Sequence, residues 1–274
     1  MSKVALITGA SSGIGLQAAV DLLEKGYTVY GAARRTNLMK ALKEKGGKSL
    51  FLDLTDDSSI VNCVNEIIQK EGRIDVLVNN SGFGLGGGLE GVPISEAKNQ
   101  FEVNVFGLAR ITQLVLPVMR KQRSGRIINV SSMAGRFSTP FSGWYHASKY
   151  SVEALSDALR LEVKPLGIKV SIIEPGTIKT NWGIIHAGNI RKFGGDADYK
   201  VGFEAAAKWF EKQYREDGPS SDSSVISKAI VNAVISKHPK IRYKAGNGSK
   251  FNIFIKSIVG DRLFDFIIKM NLGV

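Results

Sequence analysis

Val4-Ala5-Leu6-Ile7-Thr8-Gly9-Ala10-Ser11-Ser12-Gly13-Ile14-Gly15 is the stretch on which the fold turns. Four apolar residues in a row, Val4 to Ile7, suit a strand buried on both faces of a parallel sheet. Beyond the glycines, Leu16, Ala19, Val20 and Leu23 recur at helical spacing. Strand, glycine turn and helix in that order form a dinucleotide cradle, because small residues let backbone approach a phosphate and the helix N-terminus offers unpaired N–H groups. Gly9, Ser11, Ser12, Gly13, Ile14 and Gly15 are therefore candidate cofactor contacts.

Working outward, strand and helix patterns keep alternating, which predicts an α/β fold with a doubly wound parallel sheet. The second strand, Thr28 to Ala33, ends where a carboxylate would hold the ribose diol of NAD, but the chain continues Arg34-Arg35. Guanidinium groups suit a ribose 2′-phosphate, so NADP (NADPH) is the expected cofactor; the alternative is two solvated arginines opening a basic helix. A third strand, Ser49 to Leu52, runs into Asp53 and Leu54, where Asp53 suits either an adenine amino group or a turn. The fourth, Val76 to Val78, ends in Asn79-Asn80-Ser81-Gly82 and a glycine-rich loop to Gly91, with a flexible surface loop the alternative for Gly84 to Gly88. A long helical pattern from Ala97 to about Met119 carries Asn104 on an apolar face, where its amide needs a partner. The fifth strand, Arg126 to Val130, delivers Ser132 to the same rim; a helix from Trp144 to about Leu166 follows, then a sixth strand, Val170 to Ile173, and the turn Pro175-Gly176.

Tyr145 and Lys149 are four residues apart on that helix and share a face. A free phenol has a pKa near ~10, and lowering it by ~3 units takes about 4 kcal/mol of charge stabilisation. The expectation is that Lys149, with an oxidised nicotinamide, supplies it.

The chain has 274 residues, 43% of them hydrophobic, and a formal net charge of +12. A single domain over 1–274 is expected, with no run of ~18 apolar residues to span a membrane. No secretory signal is legible after Met1, which predicts a cytoplasmic chain. The lone cysteine, Cys63, reads as a buried structural thiol, and nothing suggests a metal site. No nucleic-acid module accompanies the charge, leaving only weak attraction to anionic surfaces.

Taken in order, Thr8-x-x-x-Gly-x-Gly15, Asn79-Asn-Ser-Gly82, Asn104, Ser132, Tyr145-x-x-x-Lys149 and Pro175-Gly176 resemble the short-chain dehydrogenase/reductase family over roughly residues 4–180. The resemblance implies a Rossmann-type sheet of about seven strands and a tetrad at Asn104, Ser132, Tyr145 and Lys149. It implies Tyr145 as general acid or base, Ser132 as donor to the substrate oxygen, Lys149 as ribose contact and Asn104 as support for a proton path. It also places Ser12 and Arg34 at the 2′-phosphate, and Asp53, Asn80 and the Thr177 to Thr180 turn at adenine, ribose and nicotinamide. Ser81 departs from the family's usual alanine. Family usage implies a lid over 177–218 and a dimer or tetramer, while 251–270 reads as one amphipathic C-terminal helix. His146 and His186 are set aside as acid/base groups because tyrosine fills that role. The apolar lid and tail are similar to the hydroxysteroid and retinol dehydrogenase-like branch, implying a bulky hydrophobic carbonyl or secondary alcohol as substrate. The competing expectation is a non-catalytic NADP-sensing or membrane-surface binding protein on the same fold.

Overall fold

The computed structural model describes residues 2–273. Seven parallel strands form one sheet in the order β3-β2-β1-β4-β5-β6-β7. They are β1 (Val4–Thr8), β2 (Thr28–Ala33), β3 (Lys48–Phe51), β4 (Val76–Asn79), β5 (Gly125–Val130), β6 (Ile168–Pro175) and β7 (Arg242–Ala245). Eleven α-helices accompany them: α1 (Gly13–Glu24), α2 (Lys40–Glu44), α3 (Asp57–Glu71), α4 (Ile94–Phe101), α5 (Leu108–Gln122), α6 (Gly143–Val163), α7 (Trp182–Lys192), α8 (Lys200–Tyr214), α9 (Ser223–Ile235), α10 (Ser249–Ile258) and α11 (Asp261–Leu272).

Side-chain alternation along β1 builds both layers. Ala5 and Ile7 face a core completed by Ala18, Ala19 and Leu22 of α1 and Ile226, Ile230 and Ala233 of α9. Val4 and Leu6 face the opposite core, made with Val64 and Ile67 of α3 and Ile111, Val115 and Met119 of α5. Strand β1 is thus covered on both faces, which is why its sequence is a continuous apolar run. Ile94–Gln122 is apolar and long enough to cross a membrane by length and composition alone. Its buried residues form the wall of this second core.

The strand order reverses between β1 and β4, and a crevice opens there beyond the carboxyl ends of the strands. Thr8 closes its floor: the hydroxyl accepts from Asn80 N and Ser81 N, each at 3.0 Å. Beside it, Asn79 donates to Thr112 and Asn129, and Asn129 donates to Ser156 at 2.8 Å, tying α6 to β5 through buried amides.

Three expectations change. The helix expected from Ala97 to Met119 is interrupted over Glu102–Gly107 by a wider π-helical turn that carries Asn104. Such turns free a side chain from the regular ladder. The tail expected as one helix over 251–270 is two, broken at Val259-Gly260. The run Gly84 to Gly87 is buried rather than a surface loop: a Cβ on Gly84 would lie 2.2 Å from the Trp182 indole, and one on Gly86 2.6 Å from the His186 carbonyl oxygen. These glycines admit α7.

Gly15 carries the same argument into a prediction. Alanine in a helix ordinarily stabilises by about 0.5–1 kcal/mol over glycine, yet a Cβ here would lie 2.4 Å from Gly9 O and 2.5 Å from Asn80 Nδ2. Gly15→Ala is therefore expected to lower stability by roughly 1–3 kcal/mol, read as a lower urea midpoint; an unchanged or higher midpoint would refute the packing.

Candidate active site

A cavity of about 320 Å³ lies over the carboxyl ends of β4, β5 and β6. Ile14, Asn80, Ser132, Tyr145, Lys149, Pro175, Gly176 and Thr180 all line it. Asn104 stands just behind. Its Oδ1 accepts from Phe83 N at 3.0 Å while its Nδ2 donates to Phe83 O at 2.9 Å and to Ser148 Oγ at 3.1 Å. A Cβ on Gly82 would lie 3.0 Å from Asn104 Oδ1 and 3.6 Å from Lys149 Nζ, so only a glycine separates the two side chains. The amide that needed a partner has two backbone ones.

Ser132 caps a short 3₁₀ turn, accepting from Ala134 N at 3.1 Å. Lys149 is buried and donates to Val130 O at 2.9 Å. Its ammonium lies 5.9 Å from the Tyr145 ring centroid. The expected lowering of the Tyr145 pKa is not found: burial pushes the phenol up to about 12, with the Ser132 hydroxyl pulling it part-way back. Rings of Trp182, His186 and His146 pack around Tyr145, with centroids 5.0, 6.1 and 6.2 Å from its own. Burial likewise brings Lys149 down to about 8, against the attraction of Glu153 one helical turn on. Two groups that should assist one another are both held neutral-leaning by their surroundings.

His146 and His186 are buried and hydrogen-bonded within the fold. His146 accepts from Thr139 N at 3.0 Å and its other ring nitrogen meets Ala134 O at 2.9 Å. His186 meets Ser142 Oγ at 2.8 Å, stacks on Trp182 at 4.6 Å, and is brought by burial to about 4. Burial pushes the Cys63 thiol up to about 12, which suits a core residue.

Toward the nucleotide end, Ser12 and Gly13 are exposed at the start of α1, and Gly9 and Gly13 have φ of +70° and +54°. Ser11 is buried beneath them. A Cβ on Gly13 would meet only Thr180 Cγ2, at 3.4 Å, so the mouth of the turn is open to a phosphate. Arg34 and Arg35 follow β2, both exposed and with no ion pair among the described residues. Asp53 Oδ1 accepts from Thr55 N and Oγ1, as a turn residue would; Oδ2 stays free for an adenine amino group. Leu54 is buried and packs where a Cβ on Gly107 would fall. These residues fit a dinucleotide carrying a 2′-phosphate.

The remaining wall comes from Phe83, Gln213, Tyr214, Ile268, Asn271 and Leu272, which sequence reasoning did not single out. Apolar periodicity was the only signal for Phe83, Tyr214, Ile268 and Leu272, and it reads equally as core; Gln213 and Asn271 carried none. No Asp or Glu lines the cavity among the described residues.

A family model for short chain dehydrogenases matches residues 3–184. This chain belongs to that family. The 3-ketodihydrosphingosine reductase of Bacteroides thetaiotaomicron is 40% identical over 247 residues, covering 89% of this chain and 88% of that one. The NADPH-dependent 3-dehydrocapnine reductase of Ornithobacterium rhinotracheale is 35% identical over 281 residues, covering 98% and 97%. A short-chain dehydrogenase from Streptomyces avermitilis, 34% identical, superposes with a TM-score of 0.77 over 89% of this chain and 87% of that one. The dehydrogenase is thus an oxidoreductase acting between alcohol and carbonyl with a nicotinamide cofactor.

The buried amine has a consequence for the cofactor-free enzyme. Between pH ~8 and ~10, Lys149 is neutral when folded while an unfolded lysine, with a pKa near ~10.4, still binds its proton. The unfolded state then holds more protons, so this group makes stability rise with pH across that window. Tyr145, raised when folded, works the other way only above pH ~10. Melting of wild type and Lys149→Met from pH 7 to 10 should show the mutant's advantage largest at pH 7 and shrinking toward 10; a constant difference would refute the buried amine.

Proposed function

We propose that this dehydrogenase reduces a bulky hydrophobic ketone, lipid-, steroid- or retinoid-like, with NADPH, and that Tyr145 delivers the proton. The observation that carries the reading is the convergence of Tyr145, Ser132 and Lys149 on one cavity whose far wall is Trp182, Phe210, Tyr214 and Ile268. A carbonyl oxygen placed at Ser132 and Tyr145 meets two hydroxyl donors. Tyr145, protonated at neutral pH, is in the state a general acid needs in the reductive direction. Lys149, brought to about 8, lies near enough to neutral pH to return a proton to the tyrosinate. NADPH supplies the hydride when bound. Ser12, Arg34 and Arg35 would hold its 2′-phosphate, the first turn of α1 its pyrophosphate, Asp53 and Leu54 its adenine, and Lys149 and Asn80 its ribose, beside Pro175, Gly176 and Thr180.

Direction and substrate class draw on the relatives, two of which are named as reductases, one of 3-ketodihydrosphingosine and one, with NADPH, of 3-dehydrocapnine. The cavity disfavours an amine at the reacting end, since among the described residues no carboxylate lines it to pair with one. Helices α7 and α8, which pack on each other through Ala187, Ile190, Ala206 and Phe210, serve as the substrate lid.

Consumption of NADPH against long-chain 3-ketones, steroid ketones and retinal tests the assignment. Tyr145→Phe is expected to cut kcat by ~10²–10⁴-fold with NADPH binding retained; a loss of only a fewfold would sink the proton role. Arg34→Ala should raise the KM for NADPH by roughly 10–100-fold, the loss of one charged hydrogen bond, and leave that for NADH within about twofold. Equal use of NADH and NADPH by the wild type would remove the cofactor assignment.

A further inference from the structure

The two C-terminal helices are each two-faced. Inward, Ile253 of α10 and Phe264 of α11 are buried against Phe137, with Phe137 and Phe264 ring centroids 5.4 Å apart. Outward, α10 exposes Phe251, Phe254 and Ile258, and α11 exposes Leu263, Phe266 and Met270. Both triplets have the spacing i, i+3, i+7, so each is a single stripe along its helix. These are not marginal exposures: Phe251 and Met270 are each 66% exposed.

Cations outnumber carboxylates beside those stripes, where Asp265, before Phe266, is the exposed acid not paired with Lys256. Lys250 precedes Phe251, Arg262 precedes Leu263, and Lys269 precedes Met270. None of the three has an ion-pair partner among the described residues, whereas Lys256 is engaged by Asp261. Long basic side chains flanking an apolar stripe can lay their stems along it and raise their charge to an anionic headgroup. The break at Val259-Gly260 lets the second stripe follow a plane rather than one straight axis.

Position adds a second argument. Ile268, Asn271 and Leu272 of α11 line the active-site cavity, so the exposed stripe and the cavity wall belong to one helix. A bilayer against the stripe therefore lies next to the cavity, where a ligand partitioned into lipid could enter without crossing water.

We infer that α10 and α11 form an interfacial docking surface for an anionic phospholipid bilayer, lying in its headgroup region with Phe251, Phe254, Ile258, Leu263, Phe266 and Met270 inserted. A second copy of the chain is the poorer occupant. A two-fold contact would bring together two faces that each carry four cations, Lys250, Lys256, Arg262 and Lys269, against two carboxylates, Asp261 and Asp265, so an excess of like charge meets across it. The surface goes beyond the proposed reaction and does not depend on it.

The test is co-sedimentation of the full chain with vesicles of phosphatidylglycerol and phosphatidylcholine, against vesicles of phosphatidylcholine alone. Wild type should bind the anionic vesicles at least tenfold more tightly, with the preference falling as salt rises. Phe251→Ser/Phe254→Ser/Phe266→Ser should reduce that binding at least tenfold while its NADPH binding and its turnover of a short water-soluble ketone stay within twofold of wild type. Lys250→Gln/Arg262→Gln/Lys269→Gln should abolish the preference for anionic vesicles. Absence of wild-type binding to anionic vesicles, or undiminished binding by the triple serine variant, would overturn the inference. So would a dimer in analytical ultracentrifugation that the serine variant splits, since the stripe would then be a subunit contact. Failure of every ketone with wild type, alongside intact vesicle binding, would count against the proposed reaction and not against the surface.

Discussion

Helix α6 carries the reactive pair, and what fixes it is a buried group of charges one turn below. Arg242 of β7 reaches Glu153 at 3.1 Å and Glu174 of β6 at 3.4 Å, and also grips Asp157 of α6. Arg136 closes the group from the other side, 3.4 Å from Glu174. Burial pushes both glutamates up from their ordinary value and the two guanidiniums pull them back. Breaking such a group from one side typically costs about 3–5 kcal/mol, because the charge left behind stays buried. The helix therefore cannot rotate Tyr145 and Lys149 away from the crevice without exposing that cost. Buried amides fix it at a second level, through Asn129 and Ser156.

This group also explains why one strand escaped the reading of the sequence. Strands β1, β4, β5 and β6 are covered on both faces and announce themselves as apolar runs. Strand β7 is Arg-Tyr-Lys-Ala at the sheet edge, and its first residue is the clamp itself. A strand recruited for its charge has no apolar signature. The π turn at Asn104 was hidden for a related reason: its residues keep helical periodicity, and only the reciprocal pairing with Phe83 across the chain shows why one extra residue is accommodated. The glycine loop misled because glycine is ambiguous. Freedom and tight space select the same residue, and here tight space against α7 decides it.

For the site, residue types and order sufficed to bring Ser132, Tyr145 and Lys149 to one cavity, because Ser132 sits just beyond the end of β5 and the other two share a face in the first turns of α6. Their protonation did not follow. The expectation of a lowered phenol rested on the two cations, Lys149 and an oxidised nicotinamide, whereas rings such as Trp182, from 37 positions further along the chain, bury Tyr145. Burial is a property of the assembled fold, and so the sign of a pKa shift is the part of a site that local spacing conveys least.

The polarity of the crevice then separates its two ends. At one end the exposed guanidiniums of Arg34 and Arg35 follow β2, with no ion pair among the described residues, and the N-terminus of α1 follows β1. At the other, aromatic rings from α7 and α8 and the inward side of α11 enclose the space over Tyr145. An anionic ligand group gains most at the first end, where two guanidiniums stand, and an apolar chain at the second, among the rings. A ligand carrying both is better satisfied one way round than the other, so charge and solvation at the ends, well away from Tyr145, favour one orientation in the crevice.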